Sequence, residues 1–128
     1  MSNKAKGSKA ERELFKLFVD NNYRVVRVAG SGTMENADCD LLAGKTGKKY
    51  SIEAKSSKSP NKYISKDQIE RFIIFSEIFE LTPVIAIRFN REGWFFLSPN
   101  QLEETEKNYG ISLKKAKEVG KRFSQFFD

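Results

Sequence analysis

The chain contains no histidine. That excludes Ser-His-Asp triads, histidine general bases and most zinc centres. Any hydrolytic chemistry must therefore run on carboxylates, lysine and a hard metal. The single cysteine, Cys39, can make neither an internal disulfide nor a zinc cluster, so a reducing cytoplasm is the expected compartment. No stretch approaches the ~20 apolar residues of a membrane span, and the start MSNKAKGSKA lacks the apolar centre of a signal peptide, so no membrane partner is expected. What is present is globular: 39% hydrophobic and 31% charged residues, with eleven Phe in 128 residues. That length implies one domain, residues 1–128, able to remove roughly 65–70% of its unfolded surface from water without a disulfide or structural metal.

The net charge is +6, and the excess is concentrated. Residues 1–66 hold 14 Lys/Arg against 7 Asp/Glu, whereas residues 67–128 hold 9 against 10. A basic front half suits a polyanion, because each neutralised phosphate releases counterions. A soluble protein with lysine-rich loops would look similar.

Ser8-Lys9-Ala10-Glu11 has the form of a capping box, and Leu14, Phe15, Leu17 and Phe18 follow at helical spacing, which predicts a helix over 8–21. Residues 23–28 alternate and are β-branched, a strand. A glycine-rich loop then runs from Ala29 to about Ala37. Strands are expected at 38–43 and 48–55 around a turn at 44–47, followed by a polar, proline-broken loop over 56–64. Ser65 starts a second helix with Ile69, Phe72, Ile73, Ser76 and Phe79 along one face. Strands at 83–89 and 93–97 come next. Ser98-Pro99 opens a short helix to about Asn108 that Gly110 ends, and a last helix follows from Ser112. The order αβββαββαα implies an α/β protein with a central mixed five-stranded sheet flanked by helices.

The constellation with chemical potential is Asp40 followed by Glu53 and Lys55. On paired strands, Glu53 and Lys55 share a face and Asp40 comes opposite them. Two carboxylates suit Mg²⁺, which takes one or two of them plus waters and phosphate oxygens. Lys55 could orient a water or steady an oxyanion. The tripeptide alone is weak, since about two acid-x-Lys matches arise by chance in such a composition. Its setting is stronger, because an Asp and a Glu facing each other across strands repel unless a cation intervenes. Asp38 competes with Asp40 under strict alternation, and Asp40 is preferred because it adjoins the apolar Leu41-Leu42-Ala43. Glu11 is either the third residue of a capping box or a third carboxylate of the metal site. Ser31 is a turn residue or a contact to a scissile phosphate, and Arg27 a surface charge or a phosphate clamp. Cys39 reads as a buried strand residue.

These residues resemble the Asp…(Asp/Glu)-x-Lys signature of the restriction-endonuclease-like nucleases. Within that superfamily the chain is similar to the archaeal-type Holliday junction resolvases. The likeness rests on Lys6 to Leu14, Val25 to Ser31, Asp40 to Gly44 and Tyr50 to Lys55. Weaker likeness runs through 71–76, 83–87 and 93–96, so it covers about residues 6–97, with 98–128 as a helical extension. The resemblance implies a restriction-endonuclease-like core, a homodimer, dependence on Mg²⁺ with Mn²⁺ as a substitute, and paired nicking of four-way DNA junctions in recombination and repair. Carried over by position, it makes Glu11, Asp40 and Glu53 the metal carboxylates, Lys55 the catalytic lysine and Ser31 the catalytic-loop serine. Arg12 and Arg27 become DNA contacts, and Lys6, Lys58 and Lys62 lie in the two basic segments that would embrace the DNA.

A junction of approximate two-fold symmetry needs two opposed nicks, and a monomer with a radius of gyration of ~14 Å has one site, so a two-fold dimer is the economical solution. Phe72, Phe75 and Phe79 either pack on the sheet or form the dimer interface. Recombination or replication factors are possible further partners. Competing readings are a non-catalytic junction-binding module, a restriction-type or repair endonuclease, and an RNA-processing enzyme of related fold.

Overall fold

A computed structural model describes residues 3–28 and 38–127. Its elements are α1 (Asn3–Asp20), β1 (Arg24–Arg27), β2 (Leu41–Lys45), β3 (Lys48–Ser57), β4 (Asn61–Ser65), α2 (Lys66–Ile78), β5 (Thr82–Phe89), β6 (Gly93–Leu97), β7 (Glu103–Glu104), β8 (Asn108–Ser112), α3 (Leu113–Val119) and α4 (Phe123–Phe126). Five strands form the expected mixed sheet, in the order β1-β2-β3-β5-β6, with β3 and β5 parallel and the other neighbours antiparallel. Two antiparallel strands need only a tight turn between them, whereas the parallel β3–β5 pair needs a crossover, which β4 and α2 supply.

Both faces of this sheet are buried, and the strand period of two divides its side chains between them. Ile52, Val84, Ala86 and Phe96 join Leu14 and Phe18 of α1 on one face. Ile85, Ile87, Phe95 and Leu97 join Ile69 and Phe72 of α2 on the other. This is why Val84 to Ile87 of β5 read as an unbroken apolar run, as a doubly covered strand must. On the α1 face Phe18 stands among Tyr23, Tyr50, Phe96, Phe126 and Phe127, its ring edge-on to each. The C-terminal segment thus returns to the core, and Lys121 exchanges both backbone hydrogen bonds with Phe96, giving the β6 edge a partner.

Several expectations are corrected. The first helix begins at Asn3, so Ser8 lies inside it and is no cap; Lys4, Ala5 and Lys6 are strong helix formers that carry it further back. The segment 56–64 is not all loop, since β4 pairs with β8 from Asn61–Ser112 to Ser65–Asn108. The helix expected over 98–108 is a single 3-10 turn, Pro99–Gln101, followed by β7 and β8. Gly110 therefore sits within a strand and ends no helix. These three short strands form a second sheet, β4-β8-β7. The helix from Ser112 holds, capped by the Ser112 hydroxyl on Lys115 N, but it stops at Val119.

Phe72 cannot serve the expected dimer interface. It is fully buried against the sheet. Phe79 is 60% exposed, as are Ile74 and Ile78 in large part, and its ring packs tilted against that of the half-buried Phe75. If the Phe18 cluster fastens α1 and the C-terminal segment to the sheet, Phe18→Ala lowers stability by about 3–5 kcal/mol at unchanged m value in urea denaturation.

Candidate active site

The central position of β3 brings its acidic residue indoors. Tyr50, Ile52 and Ala54 turn toward α1, so Ser51 and Glu53 turn toward α2, where the Ser51 and Ser76 hydroxyls share a hydrogen bond. Glu53 is 3% exposed. It accepts a hydrogen bond from Gln68 Nε2, and Lys55 Nζ lies 3.8 Å from its Oε2. Gln68 is in position because Ser65 caps α2: the Ser65 hydroxyl accepts from Gln68 N and fixes the first turn.

Asp40 sits just before β2 and is tied to both flanking strands. Its amide donates to Ile52 O, its carbonyl accepts from Val28 N, and its Oδ2 accepts from Ala54 N at 2.8 Å. Its charge also bears on the neighbouring Glu53 carboxyl. Burial, then the neighbouring Asp40 charge, pushes the Glu53 carboxyl up to about 8, with Lys55 and Gln68 opposing. The neutral form of Glu53 is thus favoured near neutral pH. Asp38 pairs elsewhere, its Oδ1 3.8 Å from Arg71 Nε.

Glu11 approaches from the opposite face on α1. It makes no capping box; its Oε1 accepts from Arg27 Nε at 2.8 Å. Burial raises its pKa against the Arg27 hydrogen bond, and the Asp40 charge adds to the rise, which places Asp40 within electrostatic reach of both glutamates. Among the described residues, no three acidic or thiol groups converge into one metal-binding cluster. The expected triad is therefore present as a neighbouring pair, Asp40 and Glu53, with Glu11 turned to Arg27. The donor set fits a hard divalent cation, because a cation would offset the charge repulsion between the neighbouring carboxyls Asp40 and Glu53. Cys39 is buried as expected, and burial with the nearby acids pushes its thiol up to about 12, an inert group.

A groove of about 850 Å³ runs between α1 and β4, with Lys9, Lys55, Lys58, Lys62, Tyr63 and Arg88 in its walls. Lys58 and Lys62 thus stand where the basic arm was expected. Arg12 and Arg27 line a separate hollow with Glu11, Phe15 and Leu41. Ser31 falls outside the described residues, as does the side chain of Lys6. Gln68, Arg88 and Tyr63 were not singled out from the sequence. For Gln68 a signal existed, since Ser65-x-x-Gln68 is a capping-box pattern, but its amide is diverted from the helix end to Glu53. Arg88 and Tyr63 enter the groove only through strand pairings that no local pattern announces.

The sheet order, the acids Asp40 before β2 and Glu53 within β3, and the lysine two residues on define a nuclease core of the restriction-endonuclease-like kind. A solved structure of Archaeoglobus fulgidus Hjc, a Holliday junction resolvase from an archaeal hyperthermophile, superposes with a TM-score of 0.84 over 95% of both chains at 28% identity. The family model for archaeal Holliday junction resolvase (Hjc) matches residues 2–127, and the chain belongs to that family. It is 42% identical to the crossover junction endodeoxyribonuclease Hjc of Methanocaldococcus jannaschii over 106 residues, 83% of this chain and 75% of that one. Against the Archaeoglobus fulgidus protein of the same name it is 32% identical over 131 residues, 97% and 96% of the two chains.

The state of Glu53 has a measurable consequence in metal-free protein. Its folded pKa, about 8, exceeds the unfolded 4.5, so the folded state binds more protons and stability falls as pH rises between those values. Glu53→Gln, which mimics the neutral acid, raises the melting temperature at pH 7–8 and flattens its decline across that window in differential scanning calorimetry with chelator.

Proposed function

We propose that this protein is a structure-selective endodeoxyribonuclease that resolves four-way DNA junctions by paired, Mg²⁺-assisted phosphodiester hydrolysis, working as a homodimer in the cytoplasm. The placement of Asp40 against the β3 backbone on either side of Glu53, with Lys55 Nζ 3.8 Å from Glu53, is the observation that carries the reading. Asp40 and Glu53 would hold the ion, with Glu11 joining once released from Arg27. The chemistry such an ion supplies is activation of a water and neutralisation of charge building on the phosphate.

The chain's own groups do the rest. Lys55 is partly sheltered, and its ammonium faces the Glu53 carboxylate, so it can position a water and donate to a phosphate oxygen as negative charge develops. Gln68 and the Ala54 amide hold the two carboxyls in orientation. Lys58, Lys62 and Arg88 offer the groove's cationic contacts to the DNA backbone, and Arg12 and Arg27 extend them beyond α1. Ser31 takes its role from the family pattern as a contact near the scissile phosphate. The exposed Ile74, Ile78 and Phe79 give α2 an apolar outer face suited to a second copy, which would set two sites for opposed nicks.

A synthetic four-way junction is expected to receive paired symmetrical nicks with Mg²⁺ and none with chelator, while a matched duplex stays intact. Asp40→Asn, Glu53→Gln and Lys55→Ala each reduce cleavage by at least about a hundredfold and leave junction binding largely unchanged. Binding without cleavage by the wild type, in Mg²⁺ or Mn²⁺, would make this a binding module instead. In sedimentation velocity, Phe79→Glu shifts the protein toward monomer; an unchanged dimer would place the interface elsewhere.

A further inference from the structure

The second sheet places one aromatic ring in the open beside the reaction centre. Tyr63 is 58% exposed, yet its ring is not loose. It lies across the backbone of Gly110, its register partner on β8, so closely that a Cβ at position 110 would stand 2.8 Å from ring atoms Cδ1 and Cε1. Gly110 does not have a left-handed backbone, so torsion does not call for glycine there. Space for the ring does. A glycine inside a strand forgoes backbone rigidity and side-chain packing, and here it leaves a tyrosine seated flat at the surface.

Around the ring the groove is cationic. Lys55, Lys58, Lys62 and Arg88 line it together with Tyr63. Lys62 is close enough to Lys55 for that charge, after burial, to lower its pKa. No aromatic partner packs on Tyr63 among the described residues, whereas Tyr23 and Tyr50 are absorbed into the Phe18 cluster. An exposed ring seated in a mainly basic groove, where Glu13 pairs with Arg88, is the arrangement by which proteins stack unpaired bases. An intact duplex keeps its bases stacked on each other, while bases flanking a branch can leave the stack.

We propose that Tyr63, seated on Gly110, is a stacking platform for a base displaced at the DNA branch point and so a determinant of the preference for branched over duplex DNA. The inference rests on the resolvase reading and deepens it. Its test compares equilibrium binding, in chelator, of a four-way junction and a duplex of the same arm sequence. Tyr63→Ala is expected to lose roughly tenfold in junction affinity, little in duplex affinity and nothing in salt slope. Tyr63→Phe keeps the wild-type preference, because stacking uses the ring face. Gly110→Ala, which displaces the ring without touching a charge, follows Tyr63→Ala provided thermal melting shows it folded. Lys62→Ala instead weakens both substrates and reduces the salt slope by about one. A 2-aminopurine at the branch is quenched by the wild type and by Tyr63→Phe but not by Tyr63→Ala. Wild-type preference retained in full by Tyr63→Ala overturns this inference alone; a wild type that binds junction and duplex alike overturns the resolvase reading with it.

Discussion

Two carboxyl groups, Glu53 within β3 and Asp40 just ahead of β2, set most of what the surrounding structure must accomplish. Bringing Glu53 out of water against Asp40 is unfavourable twice over, through lost hydration and through like charge. The fold answers with specific donors. The Ala54 amide serves Asp40, the Gln68 amide serves Glu53, and Lys55 reaches Glu53 from two residues along the same strand. Each donor depends on a larger element. Ala54 N is available because Asp40 lies beyond the last β2–β3 register pair, and Gln68 arrives because Ser65 starts α2 three residues earlier. The sheet must be covered on both faces for Glu53 to be buried at all, which is the work of the two apolar clusters.

What could be read from the sequence followed from local periodicity. The Ser65 cap, the doubly apolar β5 and the short β6 are all visible as patterns, and their bounds differ from the structure by a residue or so. Asp40, Glu53 and Lys55 were also legible, because hairpin register converts spacing directly into proximity. The second sheet was not. β4 holds one buried residue, Ile64, among polar neighbours, and it exists by pairing with β8 more than forty residues away. Gly110 misled for a related reason: glycine commonly ends helices, but here it makes room for a ring from another strand. Phe72 and Phe79 illustrate the same limit, since helical spacing put both on one face whereas the end of α2 leaves Phe79 outside.

The two sheets also divide the labour. The five-stranded sheet, continuous and buried, fixes the acids and the lysine, for which small displacements would be ruinous. The small edge sheet carries Lys62 and Tyr63 to the mouth of the groove. Recognition tolerates such an edge better than chemistry does, because contacts to phosphates and base faces accept a range of geometries.

The three acids are each accommodated by a different means in the chain by itself. Burial and the Asp40 charge favour the neutral form of Glu53, Glu11 pairs with the Arg27 guanidinium, and Asp40 accepts from a backbone amide of β3. None of these partners is difficult to displace. A proton leaves in favour of a cation, and Arg27 is half exposed, so a phosphate can compete for it with Glu11. DNA binding and ion binding would then reinforce each other: a phosphate that draws Arg27 away frees Glu11, and a freed Glu11 adds negative charge beside Asp40 where the ion is wanted. In the proposed complex, the Arg27 pair would hold Glu11 at the rim until a phosphate drew the guanidinium away.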